Sequence, residues 1–338
     1  MAEKIRIAMV YQLKRWVLHA QVYKNSLSME RTAAAKKWSS FLLADKMQDC
    51  CTWEGITCSM DATISEVLLA SKGLEGNISP YLGSLTGLLR LILSHNSLSG
   101  EHPVEELVSS TSLVILDISF NHLSGALQEF SAQTSETTIR PLQALNISSN
   151  LFTGQFPSTA WDVMNNLVAL NASNNSFAGQ GGHNNFHGAL PDELFNASSL
   201  EYLSFPYNVL NGVLHDANII KLSKLSILDL ERNMFSGKIR SSVGQLKRLE
   251  ELHLGHNNMY GELPSTLGNC TNLKILDLKI NYLSGDLGRI NFSSLSNLMT
   301  IDLLVNNFNG TIPESIYDCT NLIALRLSWN KFHGSTEM

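Results

Sequence analysis

Residues 249–273 read LEELHLGHNNMYGELPSTLGNCTNL, and the phasing of leucine, asparagine and glycine in this stretch decides the fold. Leu249, Leu252 and Leu254 point one way, while Glu250, Glu251, His253 and Gly255 point the other, as a half-buried strand requires. Asn257 follows, and then Gly261 suits a chain reversal that needs permissive backbone angles. The phrase recurs as LRLILSHNSLSG around Asn96, LVILDISFNHLSG around Asn121 and LSILDLERNMFSG around Asn233. It returns as LKILDLKINYLSG around Asn281, LMTIDLLVNNFNG around Asn306 and LIALRLSWNKFHG around Asn330. These asparagines fall at intervals of 24 or 25 residues.

A fixed period in the twenties with this phasing is the signature of a leucine-rich repeat. One such repeat cannot bury its own leucines, so neighbours stack and share a continuous core. About eleven strands at a spacing of about 4.8 Å give a parallel sheet on the order of 50 Å long. The asparagine column runs through Asn96, Asn121, Asn150, Asn175, Asn208, Asn233, Asn257, Asn281, Asn306 and Asn330, with Lys72 at this phase in the first repeat. A carboxamide carries donors and an acceptor, so at the turn it satisfies backbone groups that stacking leaves unpaired.

The fuller pattern in residues 249–273 resembles the extracellular repeats of plant leucine-rich-repeat receptor kinases and receptor-like proteins. CCTWEGITC, from Cys50 to Cys58, is similar to the N-terminal cap of that family. SLEYLSF, GQLKRLEELHL and FNASSLEYL are most similar to the tyrosine-sulfated glycopeptide receptor and phytosulfokine receptor subgroup. The resemblance covers roughly residues 48–334. It implies an α/β leucine-rich-repeat solenoid that is curved, with a parallel β-sheet on its concave face and an N-terminal helical cap. The implied layout is an atypical N-terminal segment over 1–28, a cap over 29–64 and eleven to twelve repeats over 65–338. A helix is expected over residues 29–47, and no C-terminal cap is expected. In the resembling family the pair at Cys51 and Cys58 forms a disulfide. Cys50, with no cysteine upstream, is expected unpaired or in competition with Cys51.

Asn175 and the next recognisable asparagine phase, Asn184, are nine residues apart, where a repeat needs about 24. A shortened repeat near 180–188 is therefore expected, with a local break in the sheet and a loop in place of one strand.

Composition excludes several function classes. Charged residues make up 16% of the chain and the net charge is −6, with no basic stripe for nucleic acid. No run of about twenty apolar residues encodes a membrane span. Residues 1–24 lack both the apolar stretch and the small-residue cleavage site of a signal peptide. Eight N-x-S/T sequons occur, at Asn77, Asn146, Asn171, Asn174, Asn196, Asn269, Asn291 and Asn309. Together with a cap disulfide they favour a secretory, glycosylated ancestry. Asn171 and Asn174 flank a concave strand and are the poorest of the glycan acceptors. The remaining six are the glycosylation candidates. Localisation is extracellular or cell-surface by resemblance, against an N-terminus that argues otherwise. Cys270 and Cys319 share one phase two repeats apart, about 10 Å, beyond disulfide reach.

The outward positions of consecutive strands form the usual ligand face of a solenoid. Exposed aromatics beside arginine are the preferred currency of interface hot spots. Tyr202, Tyr207, Arg232, His253, His256 and Lys279 form one candidate patch, and Arg326 with Trp329 a second. An extended peptide, with an anionic one such as a sulfated peptide among the candidates, is the expected ligand of the first patch. Glu231, Glu250 and Glu251 beside it weaken a purely anionic preference. The plain alternative is a set of solvated strand positions with no ligand. Two histidines in HLGH lack a third metal ligand. Asp277 and Asp302 would sit about 5 Å apart, a spacing used by retaining glycosidases, yet the recurrence of aspartate in LDL explains them better. No catalytic motif, cofactor or metal is implied.

The leading reading is a non-catalytic recognition module similar to a plant receptor ectodomain, with a peptide or protein ligand and a leucine-rich-repeat co-receptor kinase as partners. The alternatives are a secreted binder, such as a decoy or a polygalacturonase-inhibitor-like protein, and a truncated non-functional relative.

Overall fold

The computed structural model describes residues 50–129, 140–159, 161–177 and 188–334. The segment 1–28, the helix expected over 29–47 and the short joint at 180–187 lie outside the described residues. The chain divides into two compact units, Met1–Phe152 and Thr153–Met338.

In the first unit the strands run in the order Ile56–Cys58, Ile64–Leu68, Arg90–Ile92, Ile115–Asp117 and Ala144–Asn146. The first of these pairs antiparallel with the second, and all later pairs are parallel. The second unit continues the same motif with Ala169–Asn171, Tyr202–Ser204, Ile227–Asp229, Glu251–His253, Ile275–Asp277, Thr300–Asp302 and Ala324–Arg326, all parallel. Each register is one repeat, as in Leu228 opposite Leu252 opposite Leu276. This is the leucine-rich-repeat solenoid.

Alternation within each strand decides what is buried. Leu249, Leu252 and Leu254 are at most 1% exposed, as are Leu273, Leu276 and Leu278 one repeat on. Full burial of one such side chain stabilises by about 1.5–3 kcal/mol, so the repeated leucines dominate the fold. Phe235 and Phe308, two residues after their asparagines, fill the same core. Opposite the sheet, the chain returns through short 3-10 helices such as Ser265–Asn269 and Glu314–Asp318. Both begin after a proline with extended backbone, Pro264 and Pro313, whose fixed φ suits a helix entry. At Gly261 the chain turns at φ +83°, and an added Cβ would lie 2.9 Å from Lys238 Cγ, so glycine is required there.

The asparagines of the column join neighbouring repeats. Asn257 Nδ2 donates to Leu254 O (3.1 Å) and Gly255 O (3.2 Å) of its own repeat, and to Leu230 O (2.9 Å) of the preceding one. Its Oδ1 accepts the Phe235 N–H at 2.9 Å. Asn121, Asn233, Asn281 and Asn306 repeat the pattern. These side chains are 6–8% exposed, so every such bond is shielded from water.

The Cys51–Cys58 disulfide is formed, with Cα atoms 5.5 Å apart. Cys50, Cys270 and Cys319 are reduced and buried. The thiols of Cys270 and Cys319 donate to Val243 O and Phe292 O of the preceding repeat, and burial pushes the Cys270 thiol up to about 11.

The break expected near 180–188 does not cut the main sheet. Ala169–Asn171 pairs directly with Tyr202–Ser204, although Asn175 and Asn208 are 33 residues apart. Ala172 N donates to Ser204 O (2.9 Å) and Asn208 Nδ2 to Ala172 O (3.0 Å), so the ladder passes through. The physical reason is register: 169–171 and 202–204 carry the same alternation, so they pair whatever the length of chain between them. The discontinuity lies instead in the outer strands. Ser176–Phe177 pairs back to Thr153 and Gly154, whereas Asn211–Val213 opens a separate six-strand set that ends at Lys331–Phe332.

Candidate functional site

The outward face of the second unit is set by how each strand ends. The residue before every ladder asparagine is left-handed, from Tyr207 (φ 56°) and Arg232 (52°) through His256 (54°), Ile280 (51°) and Val305 (55°) to Trp329 (58°). Their amides stay in the ladder, as when Arg232 N donates to Gly255 O and His256 N to Lys279 O. Three to five residues earlier lies the strand, and an Asx turn joins the two. Asp229 Oδ1 accepts the Glu231 N–H, Asp277 Oδ1 that of Lys279 and Asp302 Oδ1 that of Leu304. The recurring aspartate of LDL is therefore a turn device. Asp277 and Asp302 are opposite each other, but Asp277 is also held by Lys279 and Asp302 by Arg326 Nη1 at 3.1 Å.

Within the first patch, Tyr207, Arg232, His256 and Lys279 are brought together by a residue outside the predicted set. Glu231 Oε1 lies 3.0 Å from Lys279 Nζ, 3.7 Å from Arg232 Nε and 4.0 Å from His256 Nε2. The Arg232 guanidinium stands 5.1 Å above the Tyr207 ring, a cation–π contact between neighbouring repeats. Lys279 reaches Glu231 across an intervening repeat because the position between them is Gly255. An added Cβ there would sit 2.9 Å from Asp277 Oδ1 and 3.1 Å from Lys279 Cγ. Burial lowers the Lys279 pKa, but the hydrogen bonds that its ammonium donates to Asp277 and Glu231 outweigh it and hold it above its ordinary value. For His256, burial and then the Arg232 and Lys279 charges push the imidazole below its ordinary value, so it is neutral at pH 7. Burial raises the Asp229 carboxyl.

The other predicted residues lie apart from this cluster. His253 Nε2 contacts Glu251 Oε2 at 2.9 Å, and Tyr202 sits in register between Ala169 and Ile227. Arg326 leans on Asp302, while Trp329 is 81% exposed. Lys274 pairs with Glu250 at 2.7 Å. Thus all four fixed cations of this face, Arg232, Lys274, Lys279 and Arg326, rest against carboxylates. Sequence reasoning placed Glu231 beside the patch but missed its bridging role, and it missed the left-handed column. The signal for Glu231 was present, since it occupies the phase of Gly255 and Lys279 and so faces outward with them. Among the described residues no group of three or more His, Cys, Asp or Glu side chains is arranged to hold a metal.

Of the glycan candidates, Asn77, Asn269, Asn291 and Asn309 are exposed. Asn196 is half-buried and accepts from Lys221 Nζ at 2.9 Å. Asn146 Oδ1 accepts both the Ser148 N–H and the Ser148 hydroxyl (2.8 Å), which occupies its own sequon serine.

Comparison with known proteins agrees with this architecture. Residues 248–270 match the family model described as Leucine Rich Repeat. The protein BRASSINOSTEROID INSENSITIVE 1 of Arabidopsis thaliana is 36% identical over 189 residues, covering 55% of this chain and 14% of that protein. The plant peptide hormone receptor RGFR1, solved in complex with RGF2, superimposes with a TM-score of 0.65 at 29% identity, over 83% of this chain and 49% of that one. The Arabidopsis receptor kinase HAESA, solved with the peptide hormone IDA and the co-receptor SERK1, gives 0.67 at 27% identity, over 89% and 51%. Plant leucine-rich-repeat receptor-like proteins and receptor kinases are thus homologues and structural neighbours of this chain. The chain spans 14% of the length of the curated relative and about half of the solved ones. No helix among the described residues is long and apolar enough to cross a membrane.

Proposed function

We propose that this chain is a non-catalytic recognition module whose outward sheet face, between Tyr202 and Trp329, binds an extended peptide or a protein segment outside the cell. The observation that carries the reading is the Tyr207–Arg232 stack beside the Glu231 cluster, a rigid aromatic and guanidinium surface on consecutive repeats. Tyrosine and arginine anchor interfaces because they present large area at low entropic cost. Two structural neighbours were solved with peptide hormones, which supports the same use of this fold. HAESA was also solved with a co-receptor, and a co-receptor kinase is a natural second partner here. Catalysis is left aside because the facing carboxylates Asp277 and Asp302 are held in Asx turns and ion pairs. A sulfated peptide is the anionic form of this reading, and it would require Arg232 to leave Glu231.

The test is photo-crosslinking of the full chain, secreted from plant cells, to a pool of labelled nonapeptides. Crosslinks on the strands 202–204 to 324–326, lost in a Tyr207→Ala, Arg232→Ala double variant, are the expected result. Unchanged capture by that variant, or crosslinks confined to the 3-10 side, would sink the reading.

A further inference from the structure

The left-handed column holds residues that such a backbone disfavours. Ile280 and Val305 are β-branched, a class for which positive φ is a genuine outlier, and asparagine would adopt it with far less strain. Core packing does not explain them, because they are 37% and 39% exposed. Backbone hydrogen bonds seat them side by side: Ile280 N donates to Leu304 O, Asn281 N to Val305 O and Val305 N to Ser328 O. Leu304, partly exposed, lies between them, and Trp329 occupies the same column one repeat on. Together they make an apolar shelf on an otherwise polar face. Strain retained at an exposed position points to use of the surface.

The charge around the shelf has one sign left over. Each fixed cation of the face is held by a carboxylate, as described above, and His256 is neutral. Glu201 is exposed with no ion pair among the described residues, and Glu251 is balanced only by His253. Among the described outward positions of these strands no cation is correspondingly in excess. A ligand brought to this face gains by carrying positive charge, because complementary potentials steer association and exclude wrong partners.

Resting on the recognition reading above, we infer that the ligand is a cationic peptide that lays an apolar side chain on the Ile280–Leu304–Val305 shelf and directs lysine or arginine towards Glu201 and Glu251. Five strand-to-strand spacings separate the Glu201 repeat from that of Trp329. At about 4.8 Å each they span about 24 Å, matching about seven extended residues.

The experiment uses three pools of fluorescent nonapeptides with a common randomised apolar core, flanked by two lysines, two glutamates or two sulfotyrosines. Binding to the secreted full chain is read by anisotropy. The lysine pool is expected to bind at least tenfold more tightly than either anionic pool, and salt should weaken it. I280N and V305N should each weaken that binding severalfold while the melting temperature holds or rises, which separates lost contact from lost fold. Glu251→Gln should weaken the lysine pool alone. Equal or tighter binding of an anionic pool, still sensitive to Tyr207→Ala, would overturn the charge inference and leave the recognition face standing. Lysine-pool binding that ignores I280N and V305N would overturn the shelf. Binding by no pool, or binding unaffected by every face variant, would overturn both readings.

Discussion

The two units carry the same backbone device and dress it differently. In the first, the column two residues before the asparagine is Ser94, Ser119 and Ser148, all at most 6% exposed. The hydroxyls of Ser119 and Ser148 close on Asp117 and Asn146 of their own repeats at 2.7 and 2.8 Å. In the second unit the same column reads Ser173, Pro206, Glu231, Gly255, Lys279, Leu304 and Ser328, and within it Glu231 and Lys279 join across repeats. His95 and Phe120 do stack across repeats in the first unit, with ring centroids 4.2 Å apart, but among the described residues no ion pair involves His95. The difference teaches that a repeat which completes its polar bonds internally leaves little for a ligand to alter. A repeat which borrows partners from its neighbours presents a surface that a ligand can rearrange.

The largest expected effect tests what the units share. Asn121→Leu in the first unit and Asn257→Leu in the second should each cost about 3 kcal/mol or more, because each leaves buried backbone donors and acceptors unpaired. A clear difference in urea midpoints between the two variants would show that the ladder is not equivalent in the two units. Next comes the feature that distinguishes them. Glu231→Ala removes the hub of three basic side chains and should cost about 1 kcal/mol, discounted for partial exposure. Ser119→Ala in the first unit removes one local bond, for about 0.5–1 kcal/mol. Thermal melts that ranked Ser119→Ala well above Glu231→Ala would break the contrast.

Two smaller effects sharpen it. Val305→Asn should stabilise by about 1 kcal/mol by relieving backbone strain, whereas Ser149→Asn at the same phase should be near neutral. Last is the acid response. The folded-state pKa of His256 is depressed, so its stabilising contribution is complete above its unfolded value and is lost as pH falls below about 6.5. His256→Asn should flatten that part of the pH–stability curve, and an unchanged curve would assign the acid response elsewhere. His102 in the first unit is also depressed by burial, so its own replacement is the control.

The repeat, the buried leucine phases and the asparagine column were legible because each is read many times over in the sequence. The Cys51–Cys58 bridge was legible through the family resemblance. The joint was misjudged because a count of residues between asparagines measures chain length, whereas strand pairing depends on matching alternation at 169–171 and 202–204. Glu231 was legible as a neighbour of the patch, but its bridging role was hidden because the sequence orders side chains by repeat and does not show which of them spans two. The left-handed column was hidden because side chains as different as Tyr207, Ile280 and Trp329 all adopt it, under the control of backbone bonds to the next strand.

Gly255 gives the array a counting rule. The Lys279–Glu231 bridge closes only when one repeat with a bare backbone at this phase lies between its ends. Deleting or duplicating that repeat, the commonplace accident of tandem genes, would leave every leucine stacked and every asparagine in its ladder, yet separate or crowd the two charges. This stretch of the chain can therefore change its sequence freely at many outward positions, but it cannot change its repeat number without dismantling the surface it presents.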